Sequence, residues 1–360
     1  MKTIILLAFV SFLLISCDNN KQQQSVLLGQ FTTAKEMHPE WETLFTEKYS
    51  VTPLETKADC LIGQIDKIKK MNRHYYILSS NGQSIFHFNE QGKFVSSLNK
   101  MGQGPEEYHH IEDFDVYEID GQMEVWVSDN TSLKVYDASD FTFKYKIAYP
   151  FIIHKFRRLE SSHILLITGQ NENILTLTDK DGNIISEYLK KEIPFIMFRP
   201  VQFVAYKNKY LFQLGISNSF VLFNPQTETF RKCILTEEKS YLSEKQLLDL
   251  FNRFGIDFIM EANKGSYINN ILCLNDAVWI QTSQNGENYI TKVTKDQIVS
   301  TVFSYGSVLS TITTGDSDDS ILLYITPDQI SDNTTGFINR LGSKIDSQTE
   351  DNPYILEFFN

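Results

Sequence analysis

No apolar run in this sequence is long enough to cross a bilayer. The longest, residues 4–16 (IILLAFVSFLLIS), has 13 residues, against roughly 20 for a spanning helix. Cysteine is scarce: there are four in 360 residues, with no C-x-x-C pair and no Cys/His spacing of a zinc site. There is no surplus of Lys and Arg either. The formal net charge is −12, which argues against nucleic acid as a partner, since phosphate binding needs clustered basic side chains. The G-x-S-x-G elbow, the H-E-x-x-H helix and the Walker loop are all missing. No catalytic residue, metal ligand or cofactor is therefore assigned.

What is present begins at the N-terminus. Lys2, the apolar run and the small Ser16 read as a cleaved secretory signal over residues 1–16. The sequence Leu14-Ile15-Ser16-Cys17 resembles the lipobox of bacterial lipoproteins. That resemblance implies acylation of the Cys17 thiol and a lipid bilayer as partner. The other reading is an ordinary signal peptide with an incidental cysteine. Two or three acyl chains would anchor durably, whereas one would not. Residues 17–40 are expected to be a flexible tether, because Asp18–Gln24 is polar throughout. The expected location is the cell envelope, lipid-anchored, at the outer membrane on its periplasmic or outer side. Beyond Cys17, the odd number of cysteines (Cys60, Cys233 and Cys273) excludes a complete disulfide framework. One bridge stays open, but each lies in an apolar run and reads better as a buried thiol.

The aromatic load, 26 Phe and 17 Tyr, favours strands. From about residue 58 one unit recurs: two or three β-rich runs, a polar turn, then a last strand. The turns start at Asn89, Asp137, Asp179 and Asn224, at intervals of 42–48 residues, and a fifth starts at Thr294. The long interval before Thr294 holds the only strong internal helix signal, Ser243–Phe254, with a serine cap and Leu247, Leu248, Phe251 and Phe254 on one face. A strand repeat of about 45 residues signals a β-propeller. Blades are predicted near 58–98, 108–147, 151–191, 196–236, 267–305 and 308–360. The fold class is thus all-β: a six-bladed propeller of four-stranded antiparallel blades over residues 41–360, with a short helical insertion between blades 4 and 5. In the last blade Val308–Ile312 and Ser320–Ile325 precede a helical excursion and a final strand, Tyr354–Phe359. An N-terminal strand around Leu44–Val51 is expected to close the ring and remove its exposed edges.

The lipobox, the stretch Lys100-Met-Gly-Gln-Gly-Pro-Glu-Glu-Tyr108 and the ending Glu350-Asp-Asn-Pro353 resemble bacterial six-bladed β-propeller lipoproteins of the TolB-like or NHL-like kind. The resemblance spans nearly the whole chain after the signal, and it implies a fold and an exported lipoprotein rather than a reaction. Glu106 stands where the family's usual loop has a third glycine. Gly102 and Gly104 suggest backbone angles closed to other residues, and Pro105 a stiffened turn. The loop reads as an inter-blade connection rather than a ligand-binding loop.

The remaining candidates each have a plain structural reading. His109 and His110, beside Glu106, Glu107, Glu112 and Asp113, invite a metal, but adjacent strand residues face opposite sides. Asp316–Asp319 is carboxylate-rich without the glycine and distal glutamate of a calcium loop. Asp179 and Asp181, ending in Gly182, are explained by turn chemistry. Arg73, Arg157, Arg158 and Arg199 lie near predicted strand starts. There they either hold a carboxylate or sugar acid or bridge blades to nearby Asp and Glu, the reading favoured. Trp126, Trp279, Tyr75 and Tyr76 either stack on sugars or fill space between blades. The expected function is a non-catalytic platform binding a protein, peptide or glycan at one mouth of the channel. The alternatives are a lyase or hydrolase working in that channel and a purely structural envelope protein.

Overall fold

A computed structural model of the chain describes residues 24–30, 48–79, 83–168, 171–191, 203–213, 219–236, 242–262, 264–274, 277–284, 287–293, 298–303, 320–332 and 351–359. The signal segment, Cys17, Arg199, Val308–Ile312 and Asp316–Asp319 lie outside the described residues.

Two strands precede the blades: β1 (Gln24–Gln30) and β2 (Tyr49–Pro53). Blade 1 comprises β3 (Ile65–Met71), β4 (His74–Ser79), β5 (Ser84–Phe88) and β6 (Phe94–Leu98). Blade 2 comprises β7 (Asp113–Ile119), β8 (Gln122–Asp129), β9 (Ser132–Asp137) and β10 (Phe143–Ala148). Blade 3 comprises β11 (Ile153–Arg158), β12 (Ile164–Thr168), β13 (Asn173–Thr178) and β14 (Ile184–Lys190). Blade 4 comprises β15 (Val204–Tyr206), β16 (Lys209–Gln213), β17 (Ser219–Asn224) and β18 (Thr229–Thr236). A helical insertion follows, with α1 (Glu244–Phe254) and α2 (Phe258–Ala262). Blade 5 comprises β19 (Ser266–Leu274), β20 (Ala277–Gln284), β21 (Glu287–Val293) and β22 (Ile298–Phe303). Blade 6 has β23 (Ser320–Ile325), a short helix α3 (Pro327–Asp332) and β24 (Tyr354–Phe359).

The turns were legible because one bond makes them. The Oδ1 atoms of Asn89, Asp137, Asp179 and Asn224 accept from the backbone N–H two residues on, at 3.0, 2.8, 2.9 and 3.0 Å. This local bond reverses the chain before each last strand. Middle strands such as β12 are buried along their whole length, because each sheet is covered on both faces. Last strands such as β14 are exposed or half-buried along their length.

Among the described residues the blades share six core clusters, each between two successive blades. Phe114 and Tyr108 pack with Leu78 between blades 1 and 2, and Trp126 with Phe156 between blades 2 and 3. Phe212 joins blades 3 and 4, Ile280 blades 4 and 5, and Trp279 blades 5 and 6. The sixth, around Ile77 and Leu322, joins blade 6 back to blade 1. The ring is a six-bladed β-propeller. Its closure differs in one detail from expectation: β2, which overlaps the expected Leu44–Val51 at Tyr49–Val51, pairs antiparallel with β24, but blade 6 has three strands among the described residues rather than four. A second difference lies in the stretch expected to be a tether. Gln24–Gln30 runs parallel to β18 as a fifth strand on blade 4. The first strands of blades 1–3 lie against one another, as do those of blades 4 and 5, and so form the inner wall.

Candidate functional site at the inner wall

The inner strands of blades 1, 2 and 3 carry the same pattern of charge, apolar residue, charge. It reads Lys67-Ile68-Lys69, Asp113-Phe114-Asp115 and Lys155-Phe156-Arg157. Residues two apart on a strand share a face, so the six charges form two tiers. In one tier Lys67 Nζ lies 2.9 Å and Lys155 Nζ 3.6 Å from Asp113 Oδ1. In the other, Lys69 Nζ lies 3.0 Å from Asp115 Oδ1 and Arg157 Nη1 3.2 Å from Asp115 Oδ2. Each carboxylate is thus held between a cation of the preceding blade and one of the following blade. The register shifts between Ile65 and Lys67 and between Ile153 and Lys155, a bulge at the same place in blades 1 and 3. Bulges re-aim the side chains that follow, which accounts for the matching aim of Lys67 and Lys155.

Backbone groups complete the tiers. Lys67 Nζ also donates to the Phe114 carbonyl at 2.7 Å, and Asp115 Oδ1 accepts from the Val116 N–H at 2.8 Å. The Arg157 guanidinium lies 4.9 Å from the centre of the Tyr210 ring, carrying the contact on to blade 4.

Four cations facing two carboxylates set the electrostatics. Burial would raise the Asp115 carboxyl, but Lys69, Arg157 and Lys67 together hold it well below the usual range. Lys69 meets one carboxylate and two cations. Burial, only partly offset by Asp115 and reinforced by Arg157 and Lys67, pushes its ammonium down to about 8. Burial lowers Lys155 in the same way. Burial leads both shifts, and the neighbouring cations add to it: Arg157 and Lys67 at Lys69, and Lys67 at Lys155.

Among the predicted residues, Arg157 enters the site as the blade-bridging cation, and Asp113 joins the tiers rather than a histidine pair. Arg158 Nη2 donates to Ser162 Oγ at 3.2 Å, outside the tiers. Arg73 is an exposed turn residue that pairs with Glu90. His109 and His110 are exposed and sit 3.7 and 4.0 Å from single carboxylates, Asp129 and Glu112. Asp179 and Asp181 serve the turn and the exposed Lys180 pair. Trp126, Trp279, Tyr75 and Tyr76 fill the spaces between blades. No disulfide joins Cys60, Cys233 and Cys273.

The glycine-rich loop is a structural connection with its own logic. Tyr108 is fully buried, and its hydroxyl accepts from Lys100 N–H at 3.1 Å and donates to the Gln83 carbonyl at 2.5 Å. Neither Gly102 nor Gly104 adopts a positive φ, contrary to expectation. Their lack of a side chain matters for space: the Glu107 carboxylate folds back over both and accepts from Gly104 N–H at 2.8 Å. Glu106 likewise has no positive φ, so it needs no glycine, and its carbonyl accepts from Tyr136 Oη at 2.8 Å.

The two-tier site escaped the sequence reading although its signal was there. Lys67 and Asp113 are 46 residues apart, and Asp115 and Arg157 are 42 apart. Both spacings equal one blade.

The model of a family described as Domain of unknown function (DUF4934) matches residues 41–358. No curated protein matches the chain. Among solved structures, a Bacteroides fragilis protein described as a candidate exported protein is similar over 94% of this chain and 100% of its own, with a TM-score of 0.74 and 17% identity. A member of the DUF4221 family from Bacteroides vulgatus is similar over 87% of this chain and 96% of its own, with a TM-score of 0.51 and 12% identity. At these identities the likeness is one of fold.

Proposed function

The chain belongs to the DUF4934 family, and on that footing we propose that it is an exported envelope lipoprotein, acylated at Cys17, whose propeller is a non-catalytic platform for acidic glycans or peptides. Its TolB-like or NHL-like kinship and an outer-membrane position are part of the same reading. The observation that carries it is the excess of cations at the inner wall: Lys67, Lys69, Lys155 and Arg157 against Asp113 and Asp115, in a protein of net charge −12. A positive wall inside an acidic ring favours ligands with carboxylate or other oxyanion groups and selects against neutral ones. The rigid blades supply the fixed geometry that such recognition needs. The exported description of the B. fragilis protein supports the compartment.

One observation favours the enzymatic alternative. An amine with its pKa near 8, as at Lys69, is partly deprotonated at neutral pH and can act as a nucleophile or base. Against it, the Lys69 side chain is only 3% exposed and is committed to Asp115, so the binding reading stands first.

Two measurements test the proposal. Radioactive palmitate should label the wild-type chain and not Cys17→Ala; equal labelling would remove the anchor. Detergent-solubilised full-length chain should be retained on immobilised uronate-containing oligosaccharides or acidic peptides, and much less on neutral ones. Arg157→Gln should weaken that retention about tenfold, and equal retention on neutral and acidic ligands would overturn the platform.

A further inference from the structure

One described segment stands outside the six interblade cores. The insertion forms a small core of its own, with Leu247, Phe258 and Ala262 buried and Leu250 and Phe251 partly so. Ser243 starts it with a capping box, and Gly255, at φ 59°, ends α1 and turns the chain towards α2. This inner packing leaves Phe254 45%, Ile256 86%, Ile259 39% and Met260 69% exposed. Four large apolar side chains exposed within seven residues are unusual on a soluble surface and mark a contact with something apolar.

Chain connectivity says what that contact is. β1 runs parallel to β18, with Gln24 opposite Arg231 and Gln30 opposite Thr236. Cys17 lies seven residues before Gln24, a reach of about 25 Å when fully extended. From the Thr236 end of the same strand pair, seven further residues lead to Ser243 and the insertion. The acylated cysteine and the apolar tip thus lead off the two opposite ends of the outer strand pair of one blade, so both can reach a membrane that faces that edge. A tether that is spent as a strand cannot let the ring swing free of the membrane surface.

We propose that the Phe254–Met260 face of the insertion seats in the bilayer leaflet that holds the acyl chains of Cys17, and so fixes the propeller edge-on with blade 4 towards the membrane. The inference rests on the reading of Cys17 as acylated. The acyl chains supply the affinity, and the patch supplies the orientation. Asp257 and Glu261 beside the tip keep the seating shallow, at headgroup depth, as for interfacial helices.

The test uses the full-length acylated chain in phosphatidylethanolamine–phosphatidylglycerol vesicles with or without brominated acyl chains. Tryptophan at Ile256→Trp should be quenched several-fold more by bromine than tryptophan at Val95→Trp. Val95 is a 46% exposed residue on β6 of blade 1, across the ring from blade 4. Met260→Trp should repeat the Ile256→Trp result. Equal quenching at 256 and 95 in acylated protein overturns the proposal while leaving the anchor standing. Emission from Ile256→Trp that is already blue-shifted in detergent and unmoved by bromine means that a protein or a second copy covers the patch, and also overturns it. Wild-type chain that carries no palmitate removes the anchor reading and this proposal with it.

Discussion

Asn352 Oδ1 accepts a hydrogen bond from the Ile62 N–H at 2.8 Å, across 290 residues of sequence. Its Nδ2 donates to the carbonyls of Glu55 and Cys60, each at 2.7 Å, and its own N–H donates to Thr56 Oγ1 at 2.9 Å. One side chain, 3% exposed, thus pins the segment before blade 1 to the turn before β24, where the ring closes. Asn352→Ala would leave three buried backbone groups without this partner. At about 1 kcal/mol or more for each, the expected loss is about 3 kcal/mol in urea unfolding. A loss below about 1 kcal/mol would mean that β2–β24 pairing closes the ring unaided.

The two-to-one ratio of cations to carboxylates predicts unequal substitutions at one ion pair. Asp115→Asn removes the only carboxylate of its tier and leaves Lys69 and Arg157 facing each other. Breaking a buried pair in this way costs about 3–5 kcal/mol. Lys69→Met removes one of the excess cations, fills the space with a side chain of similar length, and leaves Asp115 paired with Arg157 at 3.2 Å. Its cost should be well below that of Asp115→Asn. Equal losses in denaturant unfolding would show that the wall carries no excess of positive charge.

The blades were legible because their signals are local. Asn89, Asp137, Asp179 and Asn224 each make a turn with their own backbone, and a strand follows each. The closing strand was found, with Tyr49–Val51 common to β2 and the expected range, although its pairing with β24 is a contact about 300 residues distant that leaves no local mark of its register. The tiers were read only in part. Arg157 drew notice as an arginine near a predicted strand start, while Lys67, Lys69 and Lys155 were not singled out. Their role depends on which strand is innermost, and that is a property of the ring. The error over Gly102 had the same origin: the demand for glycine comes from the Glu107 carboxylate folded over it, not from its own backbone.

His74 Nδ1 and His87 Nε2 lie 2.7 Å apart, and the Tyr76 ring stacks on His87 at 4.4 Å. Burial, then the neighbouring His74, pushes the His87 imidazole down to about 4, against about 6.5 in an unfolded chain. Between pH 6.5 and 4 the unfolded chain therefore binds a proton that the folded chain does not. Stability is full above pH 6.5 and falls as the pH drops through this window, by up to about 3 kcal/mol. His87→Phe keeps a ring against Tyr76 and removes the titration. The difference in unfolding free energy between pH 7 and pH 4.5 should shrink in that variant. An unchanged difference would assign the acid sensitivity to the carboxylates.

Lys69 makes the opposite prediction on the alkaline side. Its ammonium titrates at about 8 in the fold, against about 10.4 in the unfolded chain. Between pH 8 and 10 the folded protein has released a proton that the unfolded chain still binds, so stability rises with pH through this window. The full rise is about 3 kcal/mol. Burial works against this rise at Cys233, whose thiol it pushes up to about 11, so part of the gain is offset above about pH 9, and above pH 10 the direction reverses. Tyr76 and Tyr108, which burial pushes up to about 12, keep protons in the fold that the unfolded chain has lost. Urea unfolding at pH 7.5, 8.5 and 9.5 reads the rise directly. Lys69→Met should flatten the rise, leaving the smaller contribution of Lys155, which burial also lowers. The same profile in Lys69→Met as in wild type would mean that burial and the neighbouring cations Arg157 and Lys67 do not hold the Lys69 ammonium down.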